Sequence, residues 1–186
     1  MKNKIYTAVA ILFIGSTVVV NGQDKDAVKE AHKFNEAKSN QGLVNEDVAE
    51  FLVMSADARM MDSQEGKLAT QKGTTSAIRK YGKWMMKDQA ILLREIKKLA
   101  ATRRIALPTS ISNKKENGRE DLAAKNGEDF DEKFIKMMII DHERDIRLFE
   151  KATEFDDIEV NSFAKKYLPT LQAHLVKIKN IRAETK

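Results

Sequence analysis

Four stretches of the chain repeat apolar residues every three to four positions, the period of a helix that buries one face. Over residues 46–72 the stripe is Val48, Phe51, Leu52, Ser55, Ala58, Asp62, Gly66 and Ala69, and Met54, Met61 and Leu68 repeat on another side. A helix apolar on two sides packs against more than one neighbour. Over 75–104 the face is Ile78, Tyr81, Met85, Leu92, Leu93, Ile96 and Leu99. Over 129–153 it is Phe130, Phe134, Met138, Ile146 and Phe149. The last stretch, 157–183, carries Val160, Phe163, Ala164, Tyr167, Leu171, Leu175, Ile178 and Ile181.

The boundaries agree with these periods. Asn45 can cap the first long helix, and Gly73 stops it. Thr74, Thr75 or Ser76 caps the second and Asp129 the third. Pro169 lies inside the fourth, where the missing N–H predicts a kink one turn from His174. Between the second and third helices, residues 105–128 contain Leu107-Pro108, Asn117-Gly118 and Asn126-Gly127. This connector is long enough to cross a bundle, with one helical turn expected over 119–125. Ahead of the first long helix, 23–45 form a polar arm with a short helix whose weak apolar edge is Val28, Ala31 and Phe34. No strand alternation and no solenoid repeat is present. The pattern predicts an all-α fold: an up-down four-helix bundle over 46–184 with a long connector and a short N-terminal helical arm.

Composition sharpens this in two ways. The 186 residues include 8 Gly, 2 Pro and no Cys, which suits helices and excludes disulfide and cysteine-metal frameworks. The first residues read Lys2 and Lys4, then an apolar run from Ile5 to Val20, then Val20-Asn21-Gly22 before Gln23. That order predicts a cleaved secretory signal over 1–22. The alternative is an uncleaved membrane anchor, for which the run is short. Beyond it no apolar run is long enough to span a membrane. Loss of Lys2 and Lys4 with the leader lowers the formal charge from +5 to +3. With both signs interspersed, the chain is not expected to bind nucleic acid. The expected location is across the inner membrane, in the periplasm or against the outer membrane, with an envelope partner or a second copy as the interacting species.

Each long helix also presents polar side chains on its apolar face: Asp62, Gln89, His142 with Asp145, and His174. All lie near mid-helix and point to a common interior zone. Imidazole and carboxylate together suit divalent first-row metals such as zinc, iron or manganese. A di-iron bundle, however, draws Glu-x-x-His pairs from two helices, and here Ile139 and Leu171 stand three residues before the two histidines. The same residues can instead form a buried hydrogen-bonded network in which Asp145 partners His142. Acid–base work is a third reading. No cysteine nucleophile, Gly-x-Ser-x-Gly elbow or glycine-rich phosphate loop is present, so the balance leans away from an enzyme.

From Phe51 to Ile181 the chain resembles the bacterial exported family called domain of unknown function 4142. The pieces are Gly66-Lys67-Leu68-Ala69, Met85-Met86-Lys87-Asp88, Leu107-Pro108, Asp129-Phe130-Asp131, His142, Leu148-Phe149-Glu150-Lys151-Ala152, Leu168-Pro169 and His174-Leu175. The resemblance implies a ferritin-like fold and a role at the cell envelope. It also implies an acidic residue, usually Glu, where Asp62 stands, and histidines where His142 and His174 stand. Where the family carries Asp-His, this chain has Asp88-Gln89, which leaves an implied divalent metal site one good ligand short.

Overall fold

The structure, a computed structural model, describes residues 25–185. The predicted leader, 1–22, lies outside them. Six helices occur among the described residues, and five begin at a side chain that accepts from the free N–H groups of the first turn. Asp26 caps α1 (Ala27–Ser39), Asn45 caps α2 (Glu46–Lys72) and Thr75 caps α3 (Ser76–Thr102). Ser112 caps α4 (Asn113–Ala124), and Asp157 caps α6 (Ile158–Glu184). The start of α5 (Gly127–Ala152) differs from the expectation. Asn126 holds the cap position without a side-chain hydrogen bond, and Asp129 sits inside the first turn. There its charge meets the positive end of the helix dipole. The connector is more helical than expected too: α4 spans 12 residues where one turn was predicted. Pro169 does not end α6, which runs through it with the ring on the exposed side.

α2 packs along α3, and α5 along α6. The two hairpins join through α2 against α5 and α3 against α6. Three contacts set the directions. Phe51 near the start of α2 meets Phe149 near the end of α5, with ring centroids 5.1 Å apart. At the other end of this pair, the N–H of Thr74 donates to Asp131 at 3.1 Å. Arg103, just past α3, donates two nitrogens to Asp157, which caps α6. Spatial neighbours around the ring therefore run antiparallel, while α3 and α5, the helices that the connector joins, run parallel. The fold is an all-α, ferritin-like four-helix bundle, as expected, but the connector crosses its length, so the long helices run up-down-down-up rather than simply up-down.

Of the apolar edge expected on the arm, Phe34 is exposed and the other two residues are buried. Val28 and Ala31 are buried against Val53 of α2. Asn35 is buried as well, and its amide exchanges two 2.8 Å hydrogen bonds with the backbone of Ala106 in the connector. Asp57 of α2 accepts from the N–H of Ser112 and pairs with Lys115 at 3.2 Å. The connector is thus tied to both α1 and α2.

The bundle has two apolar half-cores. One holds Phe51, Leu52, Leu92, Ile96, Phe149, Phe163 and Leu171. The other holds Ala69, Ile78, Met85, Phe130, Phe134, Met138 and Ile178. In the second half α2 and α3 approach at Gly66 and Gly82. A Cβ on Gly82 would lie 2.6 Å from the Gly66 carbonyl oxygen and 2.9 Å from Ala69 Cβ. Both are backbone or stubby groups that cannot turn aside, so the helices would have to separate. Gly82→Ala is therefore expected to destabilise the fold by roughly 1–3 kcal/mol despite its better helix propensity. Urea denaturation checks this, and an unchanged or raised midpoint would show the contact to be loose.

Candidate functional site

On every long helix polar side chains are buried where the two half-cores meet. α2 contributes Ser55, Arg59, Asp62 and Glu65; α3 contributes Gln89; α5 contributes His142 and Asp145; α6 contributes His174. All are buried, with exposures of 2% or less. The five residues expected from the sequence thus fall in one layer. Their pairing is not the one expected.

Asp145 does not partner His142. It accepts instead from Nη2 of Arg59, and the same nitrogen lies 3.2 Å from Oδ2 of Asp62. Arg144, nearer the surface, approaches the other oxygen of Asp145 at 3.5 Å. His142 turns the opposite way, with Nδ1 2.9 Å from the Met138 carbonyl oxygen and Nε2 3.3 Å from Nδ1 of His174. His174 then reaches Asp88 through Nε2 at 2.9 Å, with the Trp84 ring edge-on at 4.3 Å between centroids. Asp88 is 21% exposed, so this chain runs from the interior to the surface.

Proton counting orders the histidine chain. A carbonyl only accepts, so Nδ1 of His142 carries a proton and Nε2 carries the lone pair. Nδ1 of His174 therefore donates. Its Nε2 then has no proton to give Asp88, because a neutral imidazole carries only one. Three contacts share two protons when both rings are neutral. Burial pulls His142 down to about 4, with the Arg59 charge acting in the same direction. Burial and then His142 pull His174 to about 4, against the opposing pull of Asp88.

Glu65 and Arg59 were not anticipated from the sequence. Long charged side chains on a helix normally extend to water, so periodicity passes over them. Yet Arg59 lies four residues after Ser55 and three before Asp62, on the same stripe. Glu65 is fully buried, and neither carboxyl oxygen has a hydrogen-bond partner among the described residues. Burial, with the charges of Asp62 and Asp141 adding to it, holds its carboxyl well above the usual range. Asp62 is raised as well, chiefly by burial and against the lowering effect of Arg59. Gln89 and the Tyr81 hydroxyl likewise have no partner among the described residues.

The four residues expected as metal ligands, Asp62, His142, Asp145 and His174, do not share one centre. Asp62 and Asp145 meet on Arg59, whereas His142 and His174 spend their ring nitrogens on Met138, Asp88 and each other. No group of three or more histidine, aspartate or glutamate side chains among the described residues is placed to hold a metal ion. The donors as arranged do not fit one, because a guanidinium stands between the carboxylates. Two surface grooves, of about 890 and 300 Å³, are lined by other residues and include none of the layer.

With this geometry in place, the comparisons with known proteins bear on the fold. The sequence profile of the family described as Domain of unknown function (DUF4142) matches residues 21–181. The chain belongs to that family. No curated protein matches it. Among solved structures, a crystal structure of a DUF305 fragment from Deinococcus radiodurans matches at 11% identity with a TM-score of 0.68. It covers 76% of this DUF4142 chain and 98% of the fragment. At that identity the likeness carries the helical architecture alone.

The two sets of buried groups have opposite pH signatures. Glu65 keeps its proton in the fold above the pH, about 4.3, at which an unfolded glutamate releases it. Its burial therefore carries no pH-dependent cost below that pH and a progressively larger one as pH rises toward the raised folded value. The histidines are depressed, so their contribution is complete above about 6.5 and is lost as pH falls toward 4. Glu65→Gln should accordingly gain stability over the parent at pH 8, with the gain shrinking toward pH 4. Urea midpoints at pH 4, 6 and 8 measure it, and a pH-independent difference would contradict a protonated Glu65.

Proposed function

We propose that this protein is an exported helical-bundle module of the bacterial envelope, and that its buried polar layer sets helix register and pairing rather than carrying a reaction. The observation that supports this best is the Arg59 cluster. One guanidinium joins α2 to α5 through Asp145 while pairing with Asp62 on its own helix, all three side chains being at most 2% exposed. Such a group is costly to bury and costly to misplace, so it penalises any register that leaves it unpaired. The matching function is recognition by a surface, toward an envelope partner or a second copy, on a rigid scaffold. Export rests on the charged, apolar and small-residue order of residues 1–22. No described helix is long and apolar enough to cross a membrane.

Two measurements test this. Protein recovered from the periplasmic fraction of an expressing bacterium should begin at Gln23 on N-terminal sequencing. Recovery only in the cytoplasm, or with residues 1–22 attached, would refute cleavage and export. For the layer, the triple variant Arg59→Met, Asp62→Leu, Asp145→Leu should be as stable as the parent or more stable by about 1–4 kcal/mol. Its amide NMR spectrum should broaden or double as alternative registers become populated. A single sharp spectrum from that variant would remove the register role.

A further inference from the structure

Along the sequence the two signs of charge are interspersed, but on α3 they separate by face. The helix carries seven basic and two acidic residues, a net +5 that equals the formal charge of the whole chain. Positions 80, 83, 87, 90, 94, 97 and 101 recur every three or four residues, so they line one side of the helix, and all are exposed. Five of them are Lys80, Lys83, Lys87, Arg94 and Lys97, and the other two are alanines. The five cations extend over about 26 Å at the helical rise per residue. The two acids of α3 are half-buried and engaged. Asp88 stands 2.9 Å from Nε2 of His174, and Glu95 pairs with Lys98 at 3.1 Å and Arg94 at 3.4 Å. Lys80, Lys83, Lys87 and Lys97 make no ion pair among the described residues. On α5, by contrast, Lys133, Arg144 and Lys151 each pair with an aspartate. α6 widens the basic face: Lys166 lines a groove with Lys98, and the exposed Lys177 follows three turns along the same side of its helix.

We propose that this face is a docking surface for an anionic lipid bilayer, on which the bundle lies with α3 flat against the phosphate headgroups. The inference deepens the reading of the protein as an envelope module with a recognition surface, and rests on that reading for its compartment alone. A row of unpaired lysines repels itself, and a plane of phosphates supplies opposite charge to all of them at once. Basic segments are drawn to anionic lipid in this way. No exposed large apolar residue lies on α3, so the contact is with headgroups and not with acyl chains. The aromatic residues of α3 do not join the stripe, because Tyr81 and Trp84 pack on each other and on His174. With lysines outnumbering arginines and no exposed ring for a base to stack on, the face suits headgroups better than nucleic acid. A second copy is a poorer fit, because across a two-fold axis the stripe would face itself.

The experiment sediments the mature chain, from Gln23 onward, with vesicles of phosphatidylcholine made with and without phosphatidylglycerol. The parent should bind only the anionic vesicles and be released as salt rises from about 50 to about 500 mM. The triple variant Lys80→Gln, Lys83→Gln, Lys87→Gln should weaken binding roughly ten- to hundredfold. Lys29→Gln, Lys33→Gln, Lys136→Gln removes the same charge from exposed positions elsewhere and should weaken it no more than about threefold. The chain has no cysteine, so a dye on Ala90→Cys reports the stripe with its lysines intact. Its emission should shift on anionic vesicles, and that of a dye on Arg147→Cys, exposed on α5, should not. Parent protein that ignores anionic vesicles at low salt, binding that the α3 variant keeps or that both triple variants lose equally, or a shift at Arg147→Cys rather than Ala90→Cys would overturn the proposal. So would tighter binding to duplex DNA than to vesicles at equal phosphate concentration, or self-association abolished by the α3 variant. The face would then serve a nucleic acid or a second copy. None of these results touches the N-terminal sequencing on which export stands.

Discussion

A guanidinium between two carboxylates, in the middle of a helical bundle and out of reach of water, is the constraint to which the rest of this structure answers. Moving an ion of this kind from water costs several kcal/mol even after relaxation, and only close pairing returns it. Arg59 recovers that cost by standing between Asp62 on its own helix and Asp145 on α5, with Arg144 approaching Asp145 from the rim. The consequence is geometric. α2 and α5 are fixed along their length at one level, because sliding either by a turn would strand a buried charge.

The layer also explains why the core divides. Above and below it, aromatic and aliphatic side chains pack as in any bundle, with Phe51, Phe149 and Phe163 at one end and Phe130 and Phe134 at the other. Between them the helices must stay close enough to keep water out of the polar groups. Gly66 and Gly82 let α2 and α3 approach to backbone contact just beyond the layer. The tied-down connector then brings the chain from the end of α3 to the diagonal position where α5 begins. Asn35 and Asp57 hold its backbone, so the arm and α2 both help place α5.

The histidine chain belongs to the same layer but has another character. The Arg59 cluster is an ion-pair group sealed from solvent, whereas Asp88, His174 and His142 link a partly exposed carboxylate to the interior with one proton too few for three hydrogen bonds. Glu65 adds a carboxyl whose hold on its proton is strengthened by burial. Membership in the DUF4142 family and the DUF305-like architecture account for the scaffold. Neither accounts for these choices of side chain, which set the electrostatics of this particular chain.

Much of the fold was legible in the order of residues. A period of three to four positions, bounded by Asn45, Gly73, Thr75 and Asp157, located the four long helices to within a few residues, because caps and periodicity are local properties. The residues of the polar layer could be named for the same reason: Asp62, Gln89, His142, Asp145 and His174 interrupt apolar faces at mid-helix. What local pattern could not decide was who meets whom. Arg59 was passed over because an arginine's expected partner is water, and only the arrival of Asp145 from 86 positions along the chain gives it another. Asp145 consequently left His142, and His142 turned to His174. The arm's Asn35 has nothing in its local pattern to mark it, and only the connector's backbone lying against it gives its amide a partner. Sequence determined which faces are buried and where polarity breaks them. Tertiary structure decided the pairing, because a buried charge is satisfied by whichever opposite charge the packing of distant helices brings within reach.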